Sequence, residues 1–229
     1  MPKPLTNALI IFAKRPVPGL VKTRLIPCLT PDEAAELYCC MLEDILAWAA
    51  RLAAVDKYLF YEGDDEAGRF FRGIARGMTC LPQQGADLGE RMSGAFRRVF
   101  AEGYGAAAII GTDSPDLPVS SIVEAYELLT EGDTSVVFGP SEDGGYYLLG
   151  MTAMHEGLFR DIPWSSGDVL RESLRRAEEA GISVSFLPPW HDVDRAEDLT
   201  RSELLDENND APLTREFIKT RLGAQGSRL

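Results

Sequence analysis

The sequence predicts an α/β fold with a mostly parallel central sheet, and three observations lead there. Short apolar runs bounded by turn residues recur at 8–13, 55–61, 108–110, 135–138 and 183–187, the pattern of strands covered on both faces. Stretches with three-four apolar spacing lie between most of them, as βαβ units require. Loops rich in charge, glycine or proline follow the runs ending near Ala13, Ile110, Phe138 and Leu187. Right-handed crossovers bring such loops to one edge of a parallel sheet, where ligands bind.

In chain order, 8–13 (Ala-Leu-Ile-Ile-Phe-Ala) feeds a loop that holds Lys14, Arg15, Pro16, Pro18, Gly19, Lys22 and Arg24. A kinked backbone with this charge can cradle an anion through its N–H groups and cations. It is not a P-loop, because Gly-Lys-Thr is absent and Val21 stands where that motif needs glycine. Thr30-Pro31-Asp32-Glu33 fits a capping box with proline at the first helical position. The helix that follows places Leu37, Met41, Leu42, Ile45 and Leu46 on one side, as core. After the strand at 55–61, residues 64–76 read as a weaker helix. The stretch from Gln83 to Met92 carries little hydrophobic periodicity. Its amides and glycines (Gln84, Gly85 and Gly89) suit close approach to the edge of a nucleobase. A helix burying Met92, Ala95, Phe96 and Val99 comes next.

The buried run at 108–110 ends in Gly111-Thr112-Asp113-Ser114-Pro115-Asp116-Leu117-Pro118. The prolines stiffen this loop, and its two acids suit a divalent cation or an Asx turn capping the next helix. That helix starts near Val119. The strand at 135–138 delivers Glu142-Asp143-Gly144-Gly145-Tyr146, a loop expected to pass close to a ligand. In Pro163-Trp164-Ser165-Ser166-Gly167-Asp168, Ser165 and Asp168 fit a second capping box, and the helix N-terminus behind it would suit an anion. The last strand, 183–187, ends in Trp190-His191-Asp192-Val193-Asp194, a second acidic loop. Residues 1–200 are expected to form one nucleotide-binding catalytic domain, and 201–229 a peripheral helix and tail.

Composition narrows the partners. A formal net charge of -13 over 229 residues argues against nucleic acid or an anionic membrane as the main partner. It leaves room for a phosphorylated small molecule met by local cations. The four cysteines (Cys28, Cys39, Cys40 and Cys80) form no CxxC pair and read as buried free thiols. His155 and His191 lie far apart, so a His-rich metal site is not expected. No stretch approaches the ~20 apolar residues of a membrane span. The N-terminal residues carry no signal-peptide pattern, so a cytoplasmic location is expected.

Taken together and in this order, the basic loop, Gly-Thr-Asp-Ser-Pro-Asp, Glu-Asp-Gly-Gly-Tyr-Tyr, Ile-Pro-Trp-Ser-Ser and Asp-Val-Asp resemble the bacterial arsenosugar-biosynthesis glycosyltransferase-like family. That family sits within the GT-A nucleotide-diphospho-sugar transferases and is similar to the phospholactate and molybdenum-cofactor guanylyltransferases. The resemblance runs to about Leu199. It implies a GT-A, Rossmann-like fold with the nucleotide at the strand ends. It further implies Lys14, Gly19, Lys22 and Arg24 at the phosphates, Gln84, Gly85 and Gly89 near the base, and Asp113 with Asp194 (Asp192 as the alternative) on Mg²⁺ or Mn²⁺. Asp143, Gly144, Gly145, Tyr146, Trp164, Ser165 and Ser166 would meet the donor sugar or the acceptor, with Asp143 as base and Lys22 and Arg24 assisting catalysis.

Two departures from the pattern bear on the reaction. The glycosyltransferase Asp-x-Asp is replaced by Asp113-Ser114-Pro115, and the Gly-x-Gly-x-Arg loop of nucleotidyltransferases by Pro16-Val17-Pro18-Gly19. The expected activity is metal-dependent glycosyl transfer from a nucleotide-diphosphate sugar to a small-molecule acceptor. The alternative is nucleotidyl transfer from a nucleoside triphosphate to a phosphorylated acceptor with release of pyrophosphate. A third reading is a non-catalytic nucleotide-binding protein of the same fold.

Overall fold

The computed structural model describes residues 7–26, 28–131 and 133–223. Seven strands form one sheet in the order β3-β2-β1-β4-β6-β5-β7. They are β1 (Asn7–Lys14), β2 (Val55–Glu62), β3 (Thr79–Pro82), β4 (Ala106–Ile110), β5 (Val136–Pro140), β6 (Tyr146–Met151) and β7 (Val184–Phe186). β1 pairs in parallel with β2 and β4, β2 with β3, and β5 with β7. Only β6 runs the other way among these strands, antiparallel to both β4 and β5. The short edge strand β3 was not expected, because four partly exposed residues give no clear alternation.

Alternate residues of the strands face two helical layers. Leu9, Ile11, Leu59 and Tyr61 pack with residues of α1 (Pro31–Arg51), α2 (Asp65–Ile74) and α4 (Val119–Glu131). Ala8, Ile10, Tyr58 and Phe60 pack with residues of α3 (Leu88–Phe100) and α5 (Val169–Glu179). Period-two strands covered on both faces must be apolar throughout, which is why β1 and β4 read as unbroken apolar runs. The Thr30–Glu33 capping box is present, with both reciprocal bonds made. The one expected from Ser165 and Asp168 is not. Asp168 occupies the N-cap without a side-chain bond, and its N–H donates to Ser166 Oγ at 3.3 Å. Ser165 instead takes a left-handed backbone, φ 66°.

Beyond β7 come a 3₁₀ turn (Ala196–Thr200), the short α6 (Ser202–Leu205) and α7 (Pro212–Gly223). Leu204, Phe217 and Ile218 bury against Leu37 and Met41 on the outer side of α1, together with Leu25 and Val193. The buried Asp44 of α1 accepts from the backbone N–H groups of Leu213 (3.1 Å) and Thr214 (2.8 Å). One helix thereby supplies the N-terminal cap of another. The four cysteines are free, as expected, but each is partly exposed rather than buried.

Candidate active site

A cleft of about 890 Å³ opens at the carboxyl ends of β1 and β4, within the range of small-molecule sites. The loop after β1 lines one wall. Lys22 takes a left-handed conformation, φ 47° and ψ 39°, just before a 3₁₀ turn (Thr23–Leu25). Its side chain is 3% exposed, and its ammonium donates to Asp113 Oδ1 and, at 2.9 Å, to Asp194 Oδ1. Burial alone would lower its pKa. The two carboxylates outweigh that and hold it above the ordinary lysine value, so Lys22 is charged. The side chains of Asp113 and Asp194 stay 49% and 39% exposed, open to a ligand in the cleft. Arg24 lies 3.3 Å from Asp194 Oδ2. Burial would raise the Asp194 pKa, but Lys22 and Arg24 lower it below the usual carboxylate value.

Three bonds lock the two acidic loops together. Val193 N–H donates to the Asp113 carbonyl at 2.8 Å, and the Ser114 hydroxyl to Asp192 Oδ1 at 2.8 Å. Deeper still, His191 Nε2 lies 3.1 Å from Asp116 Oδ2, with both residues buried. Asp192 pays for its position with a pKa raised to about 6, through burial first and the neighbouring Asp113 charge second. On the β1 side, buried Tyr38 accepts from Lys14 N–H at 3.0 Å and is hydrogen-bonded to Thr112 Oγ1 at 2.7 Å. That hydroxyl pair fixes the ends of β1 and β4 side by side.

The opposite wall is made by the turn after β5 and the loop before α5. Asp143 Oδ1 accepts from Ser141 Oγ and from Gly145 N–H, the latter at 2.9 Å. Gly144 adopts φ 88°, and a Cβ there would stand 2.1 Å from the Gly167 carbonyl, so the two loops touch through a position open only to glycine. Gly89, in the first turn of α3, packs so closely on Trp164 that a Cβ would lie 2.6 Å from its indole nitrogen.

Of the residues singled out from sequence, Lys14, Lys22, Arg24, Asp113, Asp143, Gly145, Tyr146, Trp164, Ser165, Ser166 and Asp194 all line this cleft. Gly19, Gln84, Gly85, Gly89 and Gly144 are not among the lining residues. On the Gln-and-Gly side the cleft is lined instead by Gln83, Asp87, Leu88 and Arg91. α3 begins at Leu88, inside the stretch that looked irregular, with Asp87 capping it through a 2.8 Å bond from Glu90 N–H. Gln83 Nε2 is tied to the Phe60 carbonyl at 3.0 Å, leaving its own oxygen for other use. The Asp116–His191 pair is not signalled by any local pattern, and the histidine directly before the second acidic loop is its one visible trace in the sequence.

A family model described as an uncharacterised protein conserved in bacteria, DUF2064, matches residues 45–166, just over half of the chain. The chain belongs to this family. A structure from Desulfovibrio desulfuricans G20, described as a candidate nucleotide-diphospho-sugar transferase, is 32% identical with a TM-score of 0.83, over 93% of this chain and 97% of that one. At 11% identity, CMP-2-keto-3-deoxy-manno-octonic acid synthetase complexed with CTP gives a TM-score of 0.57, over 87% and 98% of the two chains. The inositol-1-phosphate CTP transferase from T. maritima gives 0.53 at 14% identity, over 94% and 97%. The last two likenesses are of fold alone. No curated protein matches the sequence. The fold is therefore that of the nucleotide-diphospho-sugar transferases, and the family is DUF2064. The arsenosugar-biosynthesis likeness is finer than either match.

Proposed function

We propose that this protein is a metal-dependent transferase using a nucleotide-diphosphate sugar as donor. The observation that carries the proposal is the convergence of Asp113, Asp194 and Lys22, from three separate loops, at the strand ends of a nucleotide-transferase fold. The donor chemistry fits a hard cation. Two carboxylates offer oxygen ligands, and among the described residues no group of three His, Cys, Asp or Glu side chains is placed to hold a metal. Magnesium commonly takes one or two carboxylates and completes its shell with water and substrate phosphates.

Asp113 and Asp194 would hold Mg²⁺ or Mn²⁺, which when bound neutralises charge on a leaving diphosphate. Lys22 and Arg24 are permanent positive charges at the same place, and a fixed charge costs no reorganisation as the leaving group develops its own. Trp164, Ser165 and Tyr146 wall off the acceptor side. Asp143 faces that side with Oδ1 committed to its own turn, so proton transfer from an acceptor hydroxyl would use Oδ2. Cytoplasmic location follows as part of the same proposal, and no described helix is long and apolar enough to cross a membrane.

A second reading, nucleotidyl transfer with release of pyrophosphate, is favoured by one feature: Asp113-Ser114-Pro115 in place of Asp-x-Asp. In that reaction the same cations stabilise charge spread over an in-line phosphoryl transfer. One experiment separates the two. Sugar nucleotides and nucleoside triphosphates are incubated with the protein and Mg²⁺ or Mn²⁺, and products are followed by phosphorus NMR. Metal-dependent release of nucleoside diphosphate, reduced on the order of 100-fold in Asp113→Asn, is expected. Pyrophosphate release from a triphosphate, with sugar nucleotides untouched, would overturn the first reading in favour of the second.

A further inference from the structure

Lys22 stands in an unusual relation to the two acids just assigned to a metal. Its ammonium already bonds one oxygen of each, and its place is built rather than chosen by a mobile side chain. The backbone is held left-handed, its carbonyl accepts from Leu25 N–H at 2.9 Å, and the preceding Val21 is buried against Ala35 and Tyr38. The side chain is enclosed at 3% exposure. The Val193–Asp113 and Ser114–Asp192 bonds hold the two acidic loops together, so both carboxylates converge on the one ammonium. Asp194 has its second oxygen 3.3 Å from Arg24. Two negative charges are thus met by a buried positive charge and an exposed one. A divalent cation arriving alone would meet one oxygen of Asp113 and both of Asp194 already bonded to a cation, with a like charge within a few ångströms.

We infer that Lys22 is a built-in competitor for the metal, so that the protein without nucleotide binds divalent cations weakly and a diphosphate group relieves the competition. The inference rests on the metal assignment of Asp113 and Asp194. Anionic phosphate oxygens supply Lys22 with a replacement partner and supply the cation with further ligands. Metal and nucleotide then raise each other's affinity by the same factor, as linkage demands. At limiting metal the cleft therefore fills with cation mainly in the presence of the diphosphate.

The test is Mn²⁺ binding to the purified full chain, read from the electron paramagnetic resonance signal of free Mn²⁺, with and without inorganic pyrophosphate as probe. Without pyrophosphate, Lys22→Met and Lys22→Gln are expected to bind Mn²⁺ at least tenfold more tightly than the unmodified protein. Adding Asp113→Asn to Lys22→Met should abolish the gain. With saturating pyrophosphate the difference should shrink to threefold or less. Circular dichroism confirms that each variant is folded, and two substitutions keep the test open if one is not. Equal Mn²⁺ affinity with and without Lys22, a gain that survives Asp113→Asn, or a difference that pyrophosphate leaves unchanged would each overturn the inference. If the variants gain Mn²⁺ affinity as expected but no nucleotide is turned over with any metal, the competition stands and the transferase reading falls.

Discussion

His191 Nε2 and Asp116 Oδ2 meet at 3.1 Å beneath the cleft, joining the two acidic loops by side chains that never reach its surface. The second Asp116 oxygen is buried with no hydrogen-bond partner among the described residues, so the His191 contact is the one hydrogen bond that this carboxyl group makes among them. Removing the imidazole strands a buried carboxylate, which costs about 2–3 kcal/mol. His191→Ala should therefore lower the urea midpoint with the slope unchanged, whereas His191→Gln, which can still donate, should recover part of the loss. An equal loss in both variants would show that packing against Trp190, not the bond to Asp116, matters here.

The cleft separates two adjacent glutamines. Gln83 lines it with its amide nitrogen anchored to β2, while Gln84 does not line it. If the base end of a nucleotide lies there, Gln83→Ala should weaken nucleotide binding roughly tenfold, the value of about one hydrogen bond. Gln84→Ala should leave it unchanged. Isothermal titration with the best donor nucleotide measures both, and the reverse order would restore the sequence-based assignment of Gln84.

Asp192 carries a pH signature. Its folded pKa of about 6 lies above the ordinary value of 3.8, chiefly through burial and then the nearby Asp113. A group that binds its proton more tightly when folded contributes stability below the unfolded pKa and loses it as pH rises through the folded one. Ionised Asp192 should therefore cost up to about 3 kcal/mol at neutral pH. Asp192→Asn should raise the melting temperature at pH 7.5 and leave it nearly unchanged at pH 4, measured without metal or nucleotide. A benefit that is the same at both pH values would remove the charge from the explanation.

The cap that Asp44 provides to α7 is a separable element. Asp44→Ala should cost about 1–2 kcal/mol, the upper range for a lost helix cap. The loss should appear as faster hydrogen exchange in α7, with protection in β1 and β4 retained. Uniform loss of protection throughout the chain would mean that α7 and the sheet unfold as one unit.

Much of this architecture was legible because its signals are local. The apolar runs of β1 and β4, the capping box at Thr30 and the glycines at 144 and 145 each declare themselves within a few residues. The legible part of the site was the set of loops that follow strands, and those loops do converge. What stayed hidden depends on partners distant in sequence. Asp116 finds His191 across 75 residues, and Lys22 finds Asp194 across 172. The start of α3 was obscured because Leu88 and Gly89 face the cleft and Trp164 rather than a continuous apolar core. Likewise Gly85 and Gly89 looked like openings for a ligand. Gly85 is required by φ 144° and by the backbone of Arg91, and Gly89 by the indole of Trp164.

Val193 sits between Asp192 and Asp194, yet its own side chain points away from the cleft into the cluster containing Leu204, Phe217 and Ile218. It works as a rivet through the wall of the molecule, with the acids on one side and the C-terminal helices on the other. A change on the buried face of α7 that shifts this rivet would be felt at Asp194 without any ligand-contacting residue being altered. Substitutions far from the cleft, at Phe217 or Ile218, thereby become a means of tuning how firmly the second acid is held.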